Sequence, residues 1–234
     1  MASGWRGCYP APVTRPTEGV VKFQRTHDPR PLEEREHGEA ARALAGWRAV
    51  LRRLGGIGQD PARYAGAGYG NLSLRVPPYG AEGMGRRRFL ITGTQTGGRP
   101  AIALADCCVV TAYDVERNHV TSRGAAEPSS ESLTHGAIYD AAPSTRAVFH
   151  VHAPELWRGA RALGLPTTHP DVPYGTPAMA REVERLFRGA ALAEHGILAM
   201  LGHEDGVIAF GASAEAAGAI LTRHYARALG GPSR

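Results

Sequence analysis

The order of apolar periods along the chain is its strongest constraint on fold. A helical stretch opens at Pro31 and another closes the chain after Ser213, while the middle is a block of short strand-like runs. No regular strand–helix alternation runs through that block, so the doubly wound parallel architectures that need it are disfavoured. A layered α/β domain with a mixed or antiparallel sheet satisfies the pattern. Residues 31–234 are read as one such domain. Residues 1–30, with Pro10, Pro12, Pro16, Pro29 and no period, are expected to form an irregular arm packed on a neighbour.

The first helix begins with Pro31 and an acidic turn, carries Ala40, Leu44, Trp47, Leu51 and Leu54 at steps of three and four, and ends in Arg52-Arg53 before Gly55-Gly56. NLSLRV, RFLIT, DCCVVTAYDV, AVFHVHA, ILAML and GVIAFG read as strands. EPSSESLTHGAIYDAA reads as a loop feeding a helix, and PAMAREVERLFRGAALAEHG as one helix with Met179, Val183, Leu186 and Phe187 on one side. The last helix has Ser213 as its expected N-cap. Gly66-Ala-Gly68 precedes a strand rather than following one, so it is not a dinucleotide fingerprint.

Composition narrows the function classes. The chain has 234 residues, 43% hydrophobic and 21% charged, ordinary for a globular protein. No apolar run reaches the ~18 residues of a membrane span, and MASGWRGCYPAPVTRP lacks the apolar core of a secretory signal. The net charge is +5, carried by dispersed arginines with Lys22 as the only lysine. The densest cluster, Arg86-Arg87-Arg88, reads as a solvated loop rather than a nucleic-acid surface, and a mild positive field suits a small anionic substrate. Cys8, Cys107 and Cys108 imply no disulfide framework and make a cytoplasmic setting the expectation. Without a CxxC pair, a metal site would draw on the 10 histidines with Asp or Glu.

His150-Val151-His152 carries the chemistry. On a strand, residues two apart share a face at about 6–7 Å, so both imidazoles can reach one ion. Val148, Phe149 and Val151 make that strand apolar, and two buried histidines with no metal or carboxylate partner would be costly. His135, His169, His195, His203 and His224 are the candidates for a third ligand. Three histidines leave a fourth coordination position open, as in catalytic zinc sites. Glu131, after Ser129-Ser130 at a helix start, reads either as part of an N-terminal cap or, beside a metal site, as a base. Three turns rich in glycine and hydroxyls, at 70–73, 92–97 and 129–130, could together cradle an anion.

In their order along residues 35–229, G-N-L-S at 70–73, L-I-T-G at 90–93, P-S-S-E at 128–131, H-V-H at 150–152 and H-E-D-G-V-I-A-F-G at 203–211 resemble the class II aldolase/adducin family, typified by L-fuculose-phosphate aldolase. The resemblance implies a three-layer α/β/α fold around a mainly antiparallel sheet, in a homotetramer with active sites between subunits. It implies that His150, His152 and His203 bind a divalent metal, Zn2+ before Mn2+, Co2+ or Fe2+. It makes Glu131 the acid/base and turns Asn71, Thr92, Gly93, Ser129 and Ser130 towards a substrate phosphate. A tyrosine, Tyr174 or Tyr225, would protonate a departing aldehyde oxygen. The implied activity is a metal-dependent lyase cleaving or forming a carbon–carbon bond in a small sugar-like substrate through an enediolate. Sugar-phosphate 4-epimerase, decarboxylase or dehydratase are the alternatives on the same site, with an adducin-like interaction module last. Two departures stand out: the family's His-Gly step is His203-Glu-Asp-Gly206 here, and its phosphate turn is Thr92-Gly-Thr-Gln-Thr-Gly97, where Gln95 adds bulk and an amide.

Overall fold

In the computed structural model, which describes residues 21–80 and 83–231, the chain runs through ten strands and six α-helices. Strand β1 (Gln24–Asp28) and helix α1 (Glu34–Arg53) come first, followed by the short pair β2 (Gly58–Gln59) and β3 (Gly68–Tyr69). Then come β4 (Asn71–Arg75), β5 (Phe89–Thr92), β6 (Cys107–Asp114), β7 (His119–Arg123) and helix α2 (Ser132–Ala141). Strand β8 (Ala147–His152) leads into α3 (Pro154–Gly159), α4 (Pro177–Phe187) and α5 (Ala190–His195). Strands β9 (Ile197–Ala199) and β10 (Gly206–Gly211) and helix α6 (Ala214–Leu229) complete the order.

Eight strands form one sheet in the order β1-β7-β6-β5-β4-β8-β10-β9. Every pairing is antiparallel except β1 with β7. Period-two alternation sends Leu72, Leu90, Phe149, Val151, Val207 and Ala209 to one face, where they pack with Leu44 and Leu51 of α1, Leu156 of α3 and Leu221 of α6. Phe89, Ile91, Val148, Ile208 and Phe210 point the other way, against Leu133 and Ile138 of α2 and Met179 and Val183 of α4. The adjacent cysteines follow the same rule: Cys107 lies in the first core and Cys108 in the second, on opposite faces of β6. The expected three-layer α/β/α arrangement around a mainly antiparallel sheet is what the chain forms.

Local chemistry explains the helix ends. Helix α1 has Glu34 and Glu36 in its first turn and Arg52 and Arg53 in its last, each sign complementing the helix dipole. The Ser213 hydroxyl accepts from Ala216 N–H, the N-cap its sequence implied. Leu54 falls just past the end of α1 and stays 45% exposed, so it is not a core residue.

Three further expectations change. The irregular arm is corrected over Gln24–Asp28, which pairs in parallel with β7; the arm's first 20 residues lie outside those described. QRTHD offers no apolar alternation: Thr26 and His27 meet His119 and Ser122 of β7 through polar side-chain hydrogen bonds at 3.1 and 2.9 Å. The long helix expected over 177–196 breaks at Gly189, whose extended backbone starts α5. Strand β7 and helix α3, too short to show a period, went unread. Arg87 is not solvated but pairs with Asp140 at 3.1 Å.

Candidate metal centre

Strand β8 is buried along its whole length. Its alternation puts Ala147, Phe149 and Val151 in the α1/α6 core and turns His150 and His152 to the opposite face with Val148. His203 arrives from the turn between β9 and β10, where its N–H donates to Met200 O at 2.9 Å and its carbonyl accepts from Gly206 N–H at 2.9 Å. Gly206 pairs with His152 in the sheet, and a Cβ there would meet His203 Nδ1 at 2.9 Å. A side chain at 206 would therefore push the imidazole away from β8.

The three imidazoles are each at most 2% exposed, and one ring nitrogen from each lies within 4.8 Å of the others. Ring centroids are 5.2 Å apart for His150–His152, 4.9 Å for His150–His203 and 4.7 Å for His152–His203. Burial, reinforced by His203, holds His150 and His152 well below the ordinary imidazole range. Both are therefore neutral at physiological pH, the form whose nitrogen lone pair binds a metal.

His150 supplies a test of fit. Its Nε2 is buried and makes no hydrogen bond among the described residues, whereas its Nδ1 lies 3.2 Å from Asn71 Nδ2. The Asn71 Oδ1 is likewise buried without a partner. Amide ends are exchangeable assignments. With the ends exchanged, Oδ1 accepts from His150 Nδ1–H. Nε2 is then left as a bare lone pair, the tautomer ligation needs. The residues fit a divalent ion held by three imidazole nitrogens.

Glu131 completes the cluster. It is 1% exposed, with Oε1 3.7 Å from His203 Nδ1. It occupies the N-cap position of α2 but makes no side-chain cap hydrogen bond, so the capping reading gives way to a carboxylate turned towards the histidines. Tyr174, 2% exposed, stacks on His203 with ring centroids 4.4 Å apart and planes 23° from parallel.

Comparison with known proteins now settles the affiliation. The model of the Class II Aldolase and Adducin N-terminal domain matches residues 61–224. The chain belongs to the class II aldolase/adducin family. Solved structures share the class II aldolase fold at low identity. L-fuculose-1-phosphate aldolase from Thermus thermophilus is 20% identical, with 81% of this chain and 90% of that one aligned at a TM-score of 0.56. A sugar-phosphate aldolase from Thermotoga maritima is 18% identical, covering 82% and 92% at 0.57. YgbL from Klebsiella pneumoniae, whose provisional description spans aldolase, epimerase and decarboxylase, is 20% identical, covering 83% and 88% at 0.58. No curated protein sequence matches the chain.

The other candidate histidines have other places. His135 on α2 has Nδ1 2.7 Å from Ser73 Oγ, and Ser73 Oγ is 2.8 Å from Tyr139 OH. His195 ends α5 beside Gly196, whose φ of +63° makes it the left-handed cap. His169 is exposed near Asp171, and His224 is buried on α6. None of these four joins the triad, which leaves His203 as the third member. Tyr225 also stays away: it packs in the α1/α6 core, on the sheet face opposite the imidazoles.

The turns expected to cradle phosphate are only partly available. Gly93 N–H donates to Asp106 O at 2.8 Å and Thr94 N–H to Glu127 O at 3.0 Å, while Thr92 Oγ1 accepts from Leu72 N–H at 3.1 Å. Gly93 is glycine because a Cβ would meet Ala126 Cβ at 2.6 Å where the 126–128 segment crosses it. The buried Arg48 guanidinium, reaching from α1, donates to the carbonyls of Thr96, Gly97 and Arg99 at 2.7–3.1 Å and fixes the turn's shape. Ser129 and Ser130 are buried immediately before Glu131.

Two neighbours of the site escaped sequence reasoning. Lys22 lies with Nζ 3.4 Å from the centroid of the Tyr174 ring and donates to Tyr174 O at 3.0 Å. Being the only lysine was its one signal. Tyr64, in a loop of glycine and alanine with no period, lies with its ring 4.6 Å from that of His152.

The buried histidines outside the triad predict the pH dependence of stability. Burial pushes His135 down to about 3 and His224 to about 4, from 6.5 in the unfolded chain. Below 6.5 the unfolded state takes up protons that the native state refuses, so stability falls with falling pH down to about 4. Each group contributes a slope of about 1.4 kcal/mol per pH unit inside its window. The urea midpoint of the metal-free protein should drop clearly between pH 7 and pH 5; a midpoint unchanged over that interval would contradict neutral burial.

Proposed function

We propose that this class II aldolase-family chain is a metal-dependent lyase that forms or cleaves a carbon–carbon bond in a small, oxygen-rich, sugar-like substrate. One observation carries the reading: a buried carboxylate, Glu131, stands 3.7 Å from a histidine of a buried three-imidazole cluster. His150, His152 and His203 hold the ion, and three neutral nitrogen donors suit Zn2+, with Mn2+, Co2+ and Fe2+ as substitutes. A bound divalent ion supplies a Lewis acid for the negative charge that develops on substrate oxygen.

The chain's own groups move the protons. In the bond-forming direction, the Glu131 carboxylate removes a proton from the carbon next to the substrate carbonyl. That carbon attacks the aldehyde, and a phenol gives its proton to the aldehyde oxygen. Tyr174, stacked on His203, is assigned this role in preference to Tyr225, which faces the other core. Ser129 and Ser130, with Asn71, Thr92 and Gly93, line the end that takes an anionic group. With the N–H groups of Gly93 and Thr94 committed to protein carbonyls, a carboxylate or neutral polyol competes with phosphate for that end. A homotetramer with sites between subunits, in the cytoplasm, belongs to this reading.

A second reading, epimerase or decarboxylase on the same residues, is supported by the likeness to YgbL. A silent adducin-like module has no need of the buried triad and Glu131. Incubation with phosphate-bearing and carboxylate-bearing polyols separates the outcomes. Release of an aldehyde supports the lyase; inverted stereochemistry or carbon dioxide without aldehyde supports the second reading.

A further inference from the structure

Two residues, Glu204 and Asp205, separate His203 from Gly206, where β10 begins. A ligand carried on a turn is well placed only where something ties the turn down. Asp205 is tied at two points. Its carboxylate Oδ2 accepts the Tyr64 hydroxyl at 2.6 Å, and its carbonyl accepts from Ala153 N–H, the residue after His152, at 2.8 Å. Asp205 is 6% exposed and takes a left-handed φ of +60° to do this.

Tyr64 is held as firmly. Arg63 Nη2 donates to the Tyr64 hydroxyl at 2.7 Å, and Nη1 donates to the Tyr69 hydroxyl at 3.0 Å. The Tyr64 ring stands edge-on to His152 at 4.6 Å, and Tyr69 flanks the same imidazole at 5.3 Å. Tyr64 and Ala65 adopt φ of +50° and +55°, a conformation non-glycine residues keep only where their surroundings enforce it. An O–H···O⁻ bond of this length belongs to the strong, charge-assisted kind.

We propose that Tyr64 and Asp205 form a clasp that positions the metal ligands of this chain: the Tyr64–Asp205 hydrogen bond fixes the turn carrying His203, and the Tyr64 ring sets the plane of His152. The clasp rests on the metal reading. Both are positioning residues, acting through the histidines. The pairing does not show in the motifs, because Tyr64 and Asp205 are 141 residues apart.

The test uses Co2+ as the probe, with affinity and the visible absorption band as readouts, on the full chain. Tyr64→Phe keeps the ring against His152 and deletes the hydroxyl, with its hydrogen bonds to Asp205 and from Arg63. It should weaken Co2+ binding about 10–100-fold, the usual effect of losing a group that orients a metal ligand, and alter the band. Asp205→Ala should do the same. Asp205→Asn, which retains an acceptor oxygen, should recover most of the affinity. The double variant Tyr64→Phe/Asp205→Ala should be no weaker than the worse single, since both remove the Tyr64–Asp205 bond. Melting of the metal-free proteins reads folding separately; if Tyr64→Phe does not fold, the Asp205→Ala and Asp205→Asn pair decides on the same readouts. Wild-type affinity and band in Tyr64→Phe, or single effects that add in the double variant, would overturn the clasp. A wild-type chain that takes up no Co2+ would overturn the metal reading, and the clasp with it.

Discussion

Glu131→Gln should reduce turnover by about 10²–10⁴-fold, the usual contribution of a positioned general base, with the fold and metal content retained. The substitution keeps size and most hydrogen-bonding capacity but cannot accept a proton. Glu131 is 1% exposed at the start of α2, within reach of the triad. A general base must be charged when substrate arrives. Exchange of the substrate's acidic proton with solvent deuterium should fall in parallel with turnover. Unchanged turnover would reduce Glu131 to a packing role at the helix start; loss of metal would make it an obligatory ligand.

His152→Ala should abolish metal binding and activity together. His152 is fully buried at the end of β8, paired in the sheet with Gly206 beside His203, and no other histidine among the described residues stands by to replace it. His135, buried on α2, has its Nδ1 2.7 Å from Ser73 Oγ and is not one of the three clustered imidazoles. Circular dichroism of the metal-free variant separates loss of the ion from loss of the fold. Metal content at the wild-type level would remove His152 from the ligand set.

Period and spacing made part of this legible from residues alone. His-x-His on an apolar strand needs only the alternation of side chains to put both imidazoles on one face, and β8 obeys it. The closing helix announced itself through Ser213 and its apolar stripe. His203 was readable through the order of family motifs, since no local spacing ties it to residues 150–152. What stayed hidden depends on long-range contact. Strand β1 joins the sheet through backbone pairing and polar side-chain hydrogen bonds of Thr26 and His27 with His119 and Ser122, so QRTHD shows no apolar face. Tyr225 looked equivalent to Tyr174 in sequence. The fold puts one against His203 and the other in the opposite core. The 92–97 turn read as an anion nest because hydroxyls and glycines were countable there, but which carbonyls would consume its N–H groups depends on residues 106 and 127.

The central claim is that these three histidines make a metal centre, and the most direct measurement is the metal content of the purified chain by inductively coupled plasma mass spectrometry. The account predicts about one divalent ion per chain, as one three-histidine site requires. A chain that emerges without a divalent ion, and retains none after incubation with Zn2+ and desalting, would contradict it.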